Sequence, residues 1–350
     1  MAQHTGDTAA GKAVSIARQK RTRNRPAAFT LIVLTPLIAE LALGSTPIRM
    51  AWLVILWVPI YGAGVLLIRE LVLRRGRGWP SIMVMALGYE LLEDGIGLQA
   101  LTSPHLYGAA EWGLRLFGLN LPYWEANLIY HAVFTVAIPI ALTDLLFPRH
   151  VGKPYLGRTG AVVAGVVALL GVLVLRVSVP VSQDPGYQAP WSFVVSIAIL
   201  VVVLAGIALF AIPRPHEHRG SGAVPSPRLL FLAAMGATLF FFALAFPIFG
   251  ARQPAFTRGA FVVVPMAAAA ALATASYILL RRFGASTAWT PRHTLWLIGG
   301  ALIAHSLGGL VIMARTPIDA IGLVVITALT AVLLSVLDVS VRRRAEGEVA

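Results

Sequence analysis

Residues 89–99 read Tyr-Glu-Leu-Leu-Glu-Asp-Gly-Ile-Gly-Leu-Gln, so three carboxylates stand within five positions of an otherwise apolar stretch. On a helix, Glu93 and Asp94 follow Glu90 by three and four residues and share its face. Like charges that close in a low dielectric cannot all ionise. Such a cluster is a proton store or a hard-cation site. Tyr89 and Gln99 flank it, and Gly95 and Gly97 weaken the helix or admit another backbone. His131 lies in a second apolar stretch, with Asn127 four residues earlier on the same face and Tyr130 beside it. An imidazole there offsets the carboxylates or ligates a metal, whose identity the residues do not specify. Glu40 and His305 are ionisable groups in two further apolar stretches.

The elements that must carry these residues are membrane spans. Of 350 residues, 58% are hydrophobic and 12% are charged, about half the charged share of a soluble domain. Mean hydropathy is +0.80. That composition excludes a soluble enzyme and an intrinsically disordered chain. Crossing a bilayer takes about 20 apolar residues, and ten stretches qualify: 28–45, 51–68, 81–101, 126–147, 160–180, 191–212, 229–249, 259–280, 294–313 and 320–338. None alternates as a β-barrel strand does, so the expected fold is all-α, a polytopic transmembrane helical bundle. Residues 1–26 read as a disordered basic tail, 27–340 as one membrane domain and 341–350 as a short tail. A cleaved signal peptide is the competing reading of the N-terminus, but Pro36 and Glu40 do not suit its apolar region.

The charges set the sidedness. Of the 28 Lys and Arg, 22 fall in the two tails and the loops on their side, and six on the other side: Arg49, Arg115, Arg176, Arg252, Arg258 and Arg315. The positive-inside rule then places both termini in the cytoplasm of a cell membrane. The net charge of +13 reflects topology and attraction to anionic lipid. No basic stretch is interleaved with a stacking platform, so no nucleic-acid partner is expected.

An acid at the bilayer centre costs roughly 2.5–3.5 kcal/mol on insertion scales. With the N-terminus inside, Glu40, Glu90, Glu93, Asp94, His131 and His305 all fall in the middle or outer half of the membrane. Four separate helices thus offer ionisable groups at compatible heights, which predicts one shared pocket. The alternative is an acid–histidine network that only fastens helices together. His305 in addition lies in Gly300-xxx-Ala304-xxx-Gly308, a small-residue stripe suited to close helix packing. Prolines 36, 59, 139 and 265 lie inside spans and remove helix hydrogen bonds there. The aromatic 102–125 connection, with Trp112, Tyr123 and Trp124, reads as an interfacial amphipathic segment, either a belt anchor or a lid.

Other chemistries are absent. With no cysteine, thiolate and iron–sulfur chemistry are excluded. No Walker, Rossmann or HExxH motif occurs, so no cofactor is expected. His216-Glu217-His218 is a lone His-x-His pair in a Pro-rich loop. No internal repeat is visible, although ten spans would divide five plus five in an inverted plan. The span-3 and span-4 residues resemble the CAAX-protease and bacteriocin-processing (CPBP) intramembrane endopeptidases, which pair EExxxR on one helix with FxxxH on the next and add HxxxN or HxxxD. Glu93-Asp94 resemble the acidic pair and His131 the histidine. Asp replaces the second Glu, Gln99 stands nearest the Arg, Asn127 replaces Phe, and Gly309 follows His305. The resemblance covers about 50 residues and implies a water activated by Glu93 with help from His131.

Three functions follow as expectations. The leading one is an ion- or proton-coupled transporter for a small solute or cation. There Glu93, Asp94 and His131 carry the coupling, and Glu40, Glu90, Tyr89, Asn127, Gln99 and His305 build the pocket. The others are a CPBP-like endopeptidase and a non-catalytic membrane scaffold.

Overall fold

The computed structural model describes residues 24–107, 112–215, 220–246 and 259–347. Among them are ten long helical segments: α1 (25–41), α2 (Ile48–Arg74), α3 (79–97), α4 (Leu121–Leu146), α5 (Arg158–Gln183), α6 (Trp191–Ala211), α7 (Pro227–Ala245), α8 (Ala260–Gly284), α9 (Pro291–Ile312) and α10 (Pro317–Gly347). Eight are long and apolar enough to cross a membrane. The other two, α1 and α3, carry Glu40 and Glu90, Glu93 and Asp94. The protein is an all-α polytopic bundle.

Prolines open six of these helices at the first or second position, where the missing N–H costs nothing. Side chains cap several starts: Asn24 accepts from Ala27, Asn120 from Tyr123, Ser226 from Leu229 and Thr316 from Asp319. The α10 helix runs to Gly347, past the expected tail boundary at 341. Arg342 pairs with Asp338 one turn back, and Arg344 donates to the Leu145 carbonyl. These contacts keep a polar helix end ordered outside the apolar zone.

Two cores form. The first is built from α1 to α6 around Leu31, Ile60, Leu66, Ala86 and Val136. The second joins α7, α9 and α10 to α1 and α4 through Ile38, Tyr130, Phe134, Phe242 and Leu302. Thus α1 and α4 are common to both. The small-residue stripe of α9 packs as expected. A Cβ built on Gly300 would lie 2.1 Å from the Phe231 carbonyl oxygen of α7, and one on Gly308 would lie 2.4 Å from the Phe242 ring. Peripheral helices instead show apolar faces, with Val162, Val166, Val202, Leu329 and Leu333 exposed. A surface of that kind suits lipid, not water.

Contacts between loops fall into two sets, one at each end of the bundle. Ser103 and His105 meet Asp184, and Arg49 meets Asp319, at one end. Asn24 meets Tyr155 and His150, Arg69 meets Asp144, and Arg344 meets Leu145 at the other. The described chain therefore starts and finishes at the same end, as ten crossings require. Between α3 and α4, the described residues 102–107 and 112–120 form no α-helix. They carry a two-stranded antiparallel hairpin, β1 (Arg115–Leu116) with β2 (Leu119–Asn120). Gly118 takes the positive φ of the turn, which glycine adopts without steric cost. His216, Glu217, His218 and Glu111 lie outside the described residues.

Candidate functional site

Four helices depart from α geometry at the same level of the bundle. Residues Leu37–Leu41 of α1, Val58–Ala63 of α2, Leu91–Gly97 of α3 and His131–Ala137 of α4 are π-helical. A π-turn is rare and costs regular hydrogen bonding, and it recurs at functional sites. Prolines account for three of them. Pro36 directly precedes the first, Pro59 is the second residue of the second, and Pro139 follows the fourth by one residue. Each lacks the N–H that closes an α-turn, so the turn opens. In α3 the loosening residues are Gly95 and Gly97.

Each π-turn carries an ionisable or hydroxyl side chain that turns inward. Glu93 Oε2 lies 3.5 Å from His131 Nδ1, and His131 Nδ1 lies 2.9 Å from Thr135 Oγ1. One ligand atom from each of Glu93, Asp94 and His131 falls within 4.8 Å of the others. Aromatic rings enclose the group. Tyr61 stacks on His131 at 6.3 Å between centroids, and Tyr89 lies 6.1 Å from the same ring. Glu93 and Asp94 are at most 1% exposed. Neither oxygen of Glu93, nor Asp94 Oδ2, nor the Tyr89 hydroxyl makes a hydrogen bond of good geometry within the protein, although the Tyr61 and Tyr89 hydroxyls stand near the Glu93 carboxylate. A buried carboxylate oxygen without a well-placed donor is costly, so the geometry leaves room for a proton, a water or a cation to complete it.

Glu40 forms the outer wall. Its Oε1 accepts from the Tyr61 hydroxyl at 2.6 Å, and its Oε2 accepts from Thr46 at 2.8 Å and Ser45 at 2.9 Å. Trp57 donates to Thr46 Oγ1. Glu40 is close enough to His131 and Asp94 to interact electrostatically. On the other side of α4, the Tyr130 hydroxyl donates to the Ala39 carbonyl and lies 3.0 Å from His305 Nε2. His305 stacks on Phe134 at 4.4 Å. It is thus one residue removed from the acid–histidine group and belongs to the second core.

The expected residues separate into two sets. Tyr89, Glu93, Asp94, His131 and Glu40 come together. Glu90 turns aside although it is on the same helix: its Oε2 accepts from Trp124 at 3.1 Å. The π-turn after Glu90 breaks the α spacing that would have stacked all three acids. Asn127 donates to the Tyr123 carbonyl of its own helix. Gln99 has a positive φ of 59° and its Oε1 accepts from the Ala189 backbone at 2.7 Å. It ends α3 and ties it to the segment before α6. Reasoning from sequence missed Tyr61 and Thr135. Thr135 follows His131 by four residues and the helical rule would have found it. Tyr61 carried only a general signal, since a buried tyrosine hydroxyl needs a partner.

The bundle has a second buried polar group at the end where its termini lie. Arg69 is fully buried, donates to Asp144 at 2.7 Å and to the Lys153 carbonyl at 2.9 Å, and stacks over Tyr155. The Tyr155 hydroxyl donates to the same Asp144 oxygen. Glu70 accepts from the Tyr155 and Leu156 backbone and from Arg74. Every acid here has a donor, unlike the group on α3.

No curated protein and no solved structure matches this chain. A family model matches residues 29–345 and spans all ten helices. The chain belongs to an uncharacterized membrane protein family.

Proposed function

We propose that the protein is an ion- or proton-coupled transporter of a small solute, with both termini cytoplasmic in a cell membrane. The observation that carries this reading is the contrast between the two buried polar groups. In the Arg69 group both carboxylates, Asp144 and Glu70, are met by donors. The Glu93–Asp94–His131 group keeps unpartnered carboxylate oxygens in the membrane interior, on the π-turns of α3 and of α4, the second of which is shared by both cores. Intramembrane acids of this kind mark ion and proton pathways. Glu93 and Asp94 take up the coupling ion or proton, His131 pairs with or relays it, and Glu40 with Tyr61 closes the outer wall.

The test is coupled flux in proteoliposomes. An imposed ion or pH gradient drives solute uptake or efflux by the native protein, and Glu93→Gln with Asp94→Asn lowers the coupled rate at least tenfold while the bundle stays folded. If coupling is unchanged by these substitutions, the reading is wrong. If only the melting temperature moves, the cluster fastens helices and the protein is a scaffold.

A second reading rests on the 3.5 Å approach of Glu93 to His131. An acid beside an imidazole is the arrangement that the CPBP-like resemblance implies for activating water. On that reading the same two substitutions abolish cleavage of a membrane-tethered reporter and leave gradients untouched.

A further inference from the structure

We infer that Glu93, Asp94 and His131 form a binding site for one divalent first-row transition-metal ion. This deepens the transporter reading, since it names an occupant for the same site.

The donor set comes first. Two carboxylates and one imidazole are offered with no thiolate. Carboxylates and imidazole together suit Zn2+, Mn2+, Fe2+ or Co2+, whereas Ca2+ and Mg2+ take oxygen donors alone. Three protein ligands also leave positions open for water or a substrate, as in exchangeable zinc sites.

Spacing comes second. Metal bonds of roughly 2.0–2.1 Å in a tetrahedron place neighbouring donor atoms about 3.3 Å apart. Glu93 Oε2 and His131 Nδ1 are 3.5 Å apart, close to that edge. The third donor lies within 4.8 Å, so a small side-chain rotation of Asp94 closes the triangle.

The third observation is the buried Tyr89 hydroxyl beside Glu93. Tyr89 is 5% exposed, its ring lies 6.1 Å from that of His131, and its hydroxyl makes no hydrogen bond of good geometry within the protein. A buried hydroxyl left so beside two carboxylates is where a metal-bound water would be held. The same His131 Nδ1 lies 2.9 Å from the Thr135 hydroxyl, a contact it exchanges for the metal when the ion binds. By contrast, Asp144, Asp319 and Asp338 are each paired with arginine.

The experiment uses the full chain, without a polyhistidine tag, in lipid nanodiscs after chelator treatment. Zn2+ is titrated calorimetrically, bound metal is counted by mass spectrometry after desalting, and Co2+ serves as the spectroscopic probe. Because the chain has eight histidines, the informative quantity is the equivalent lost on substitution. We expect one tight equivalent. His131→Gln, Glu93→Gln and Asp94→Asn each weaken it at least about tenfold, and His305→Gln leaves it intact. Zinc also raises the melting temperature of the native protein, which needs no variant to fold. Co2+ gives the ligand-field bands of a low-coordinate nitrogen–oxygen site. A native protein that retains no equivalent and shows no such bands would falsify the site, as would binding that survives all three substitutions. If metal fails to bind while Glu93-dependent proton flux persists, the metal inference falls and the transporter reading stands. Metal bound without flux gives the reverse.

Discussion

Arg69 shows what a buried charge demands. Its guanidinium is held by Asp144, by two backbone carbonyls and by the Tyr155 face. Burial, with the Asp144 carboxylate next in effect, pushes the Tyr155 hydroxyl above its ordinary value and keeps it a donor. Removing one partner of a buried pair costs about 3–5 kcal/mol, because the other is left uncompensated, whereas replacing the charge by a well-packed apolar group costs much less. Asp144→Ala is therefore expected to lower the melting temperature in micelles well below that of Arg69→Met. The reverse order would show that Arg69 is solvated from the bundle end. At the candidate site the residue-level lesson differs. The type of Glu93, Asp94 and His131 was visible in the chain, and so was the cost of placing them in lipid. Their 3.5 Å approach was not, because it depends on how two helices are rotated.

Helices are the scale at which that rotation is set. One inserted residue turns everything after it by about 100°, and the π-turns at 91–97 and 131–137 do this on both sides of the acid–histidine contact. The turn at 91–97 accompanies the departure of Glu90 toward Trp124, while Asn127 is drawn to the Tyr123 carbonyl of its own helix. Close packing holds the altered helices together. A Cβ on Gly309 would fall 2.0 Å from the Leu43 carbonyl oxygen, whereas one on Gly236 meets nothing within 4 Å. Gly309→Ala is thus expected to cost several times what Gly236→Ala does in thermal unfolding, and equal effects would mean that α9 is not in contact with the turn that follows α1. At the outer loops, Asp184 accepts from Ser103 at 2.6 Å and lies 3.2 Å from His105 Nδ1. Burial alone would push its carboxyl up, but the Ser103 hydrogen bond and the bonds and charge of His105 outweigh that and hold it low. A depressed carboxylate stabilises above its unfolded value and loses that contribution as pH falls through its folded value. Hydrogen exchange at residues 103–106 should therefore stay slow above about pH 5 and quicken as pH drops past about 4. Faster exchange on raising the pH would contradict this clasp.

For the whole molecule, the governing quantities are apolar surface and charge placement. The most apolar stretches of α6 and α10 are 11% buried and that of α4 is 61% buried. A central pair, α1 and α4, is therefore wrapped by helices whose outer faces meet lipid. Both ends of the described chain lie on one side, and the proposed cytoplasmic side is the one carrying 22 of 28 basic residues. The natural chain has no cysteine, so single introduced thiols report sidedness cleanly. Gly152→Cys and Ala345→Cys should react only with reagent admitted to the cytoplasm, and Phe117→Cys, at the exposed hairpin tip, only with external reagent. Labelling of Gly152→Cys and Phe117→Cys from the same side would remove the ten-span topology.

The all-α polytopic plan and the list of costly residues were legible in the chain, because transfer into lipid acts on each stretch separately; of the ten expected spans, eight are helices long and apolar enough to cross a membrane. Depth followed from counting along each helix, which brought Glu40, Glu93, Asp94 and His131 to one level. Which of them touch was settled only by tertiary structure. Contact depends on helix rotation and on backbone approach, and both hinge on π-turns and on small residues meeting carbonyls of distant helices. Those are pair properties, so no single stretch of sequence contains them.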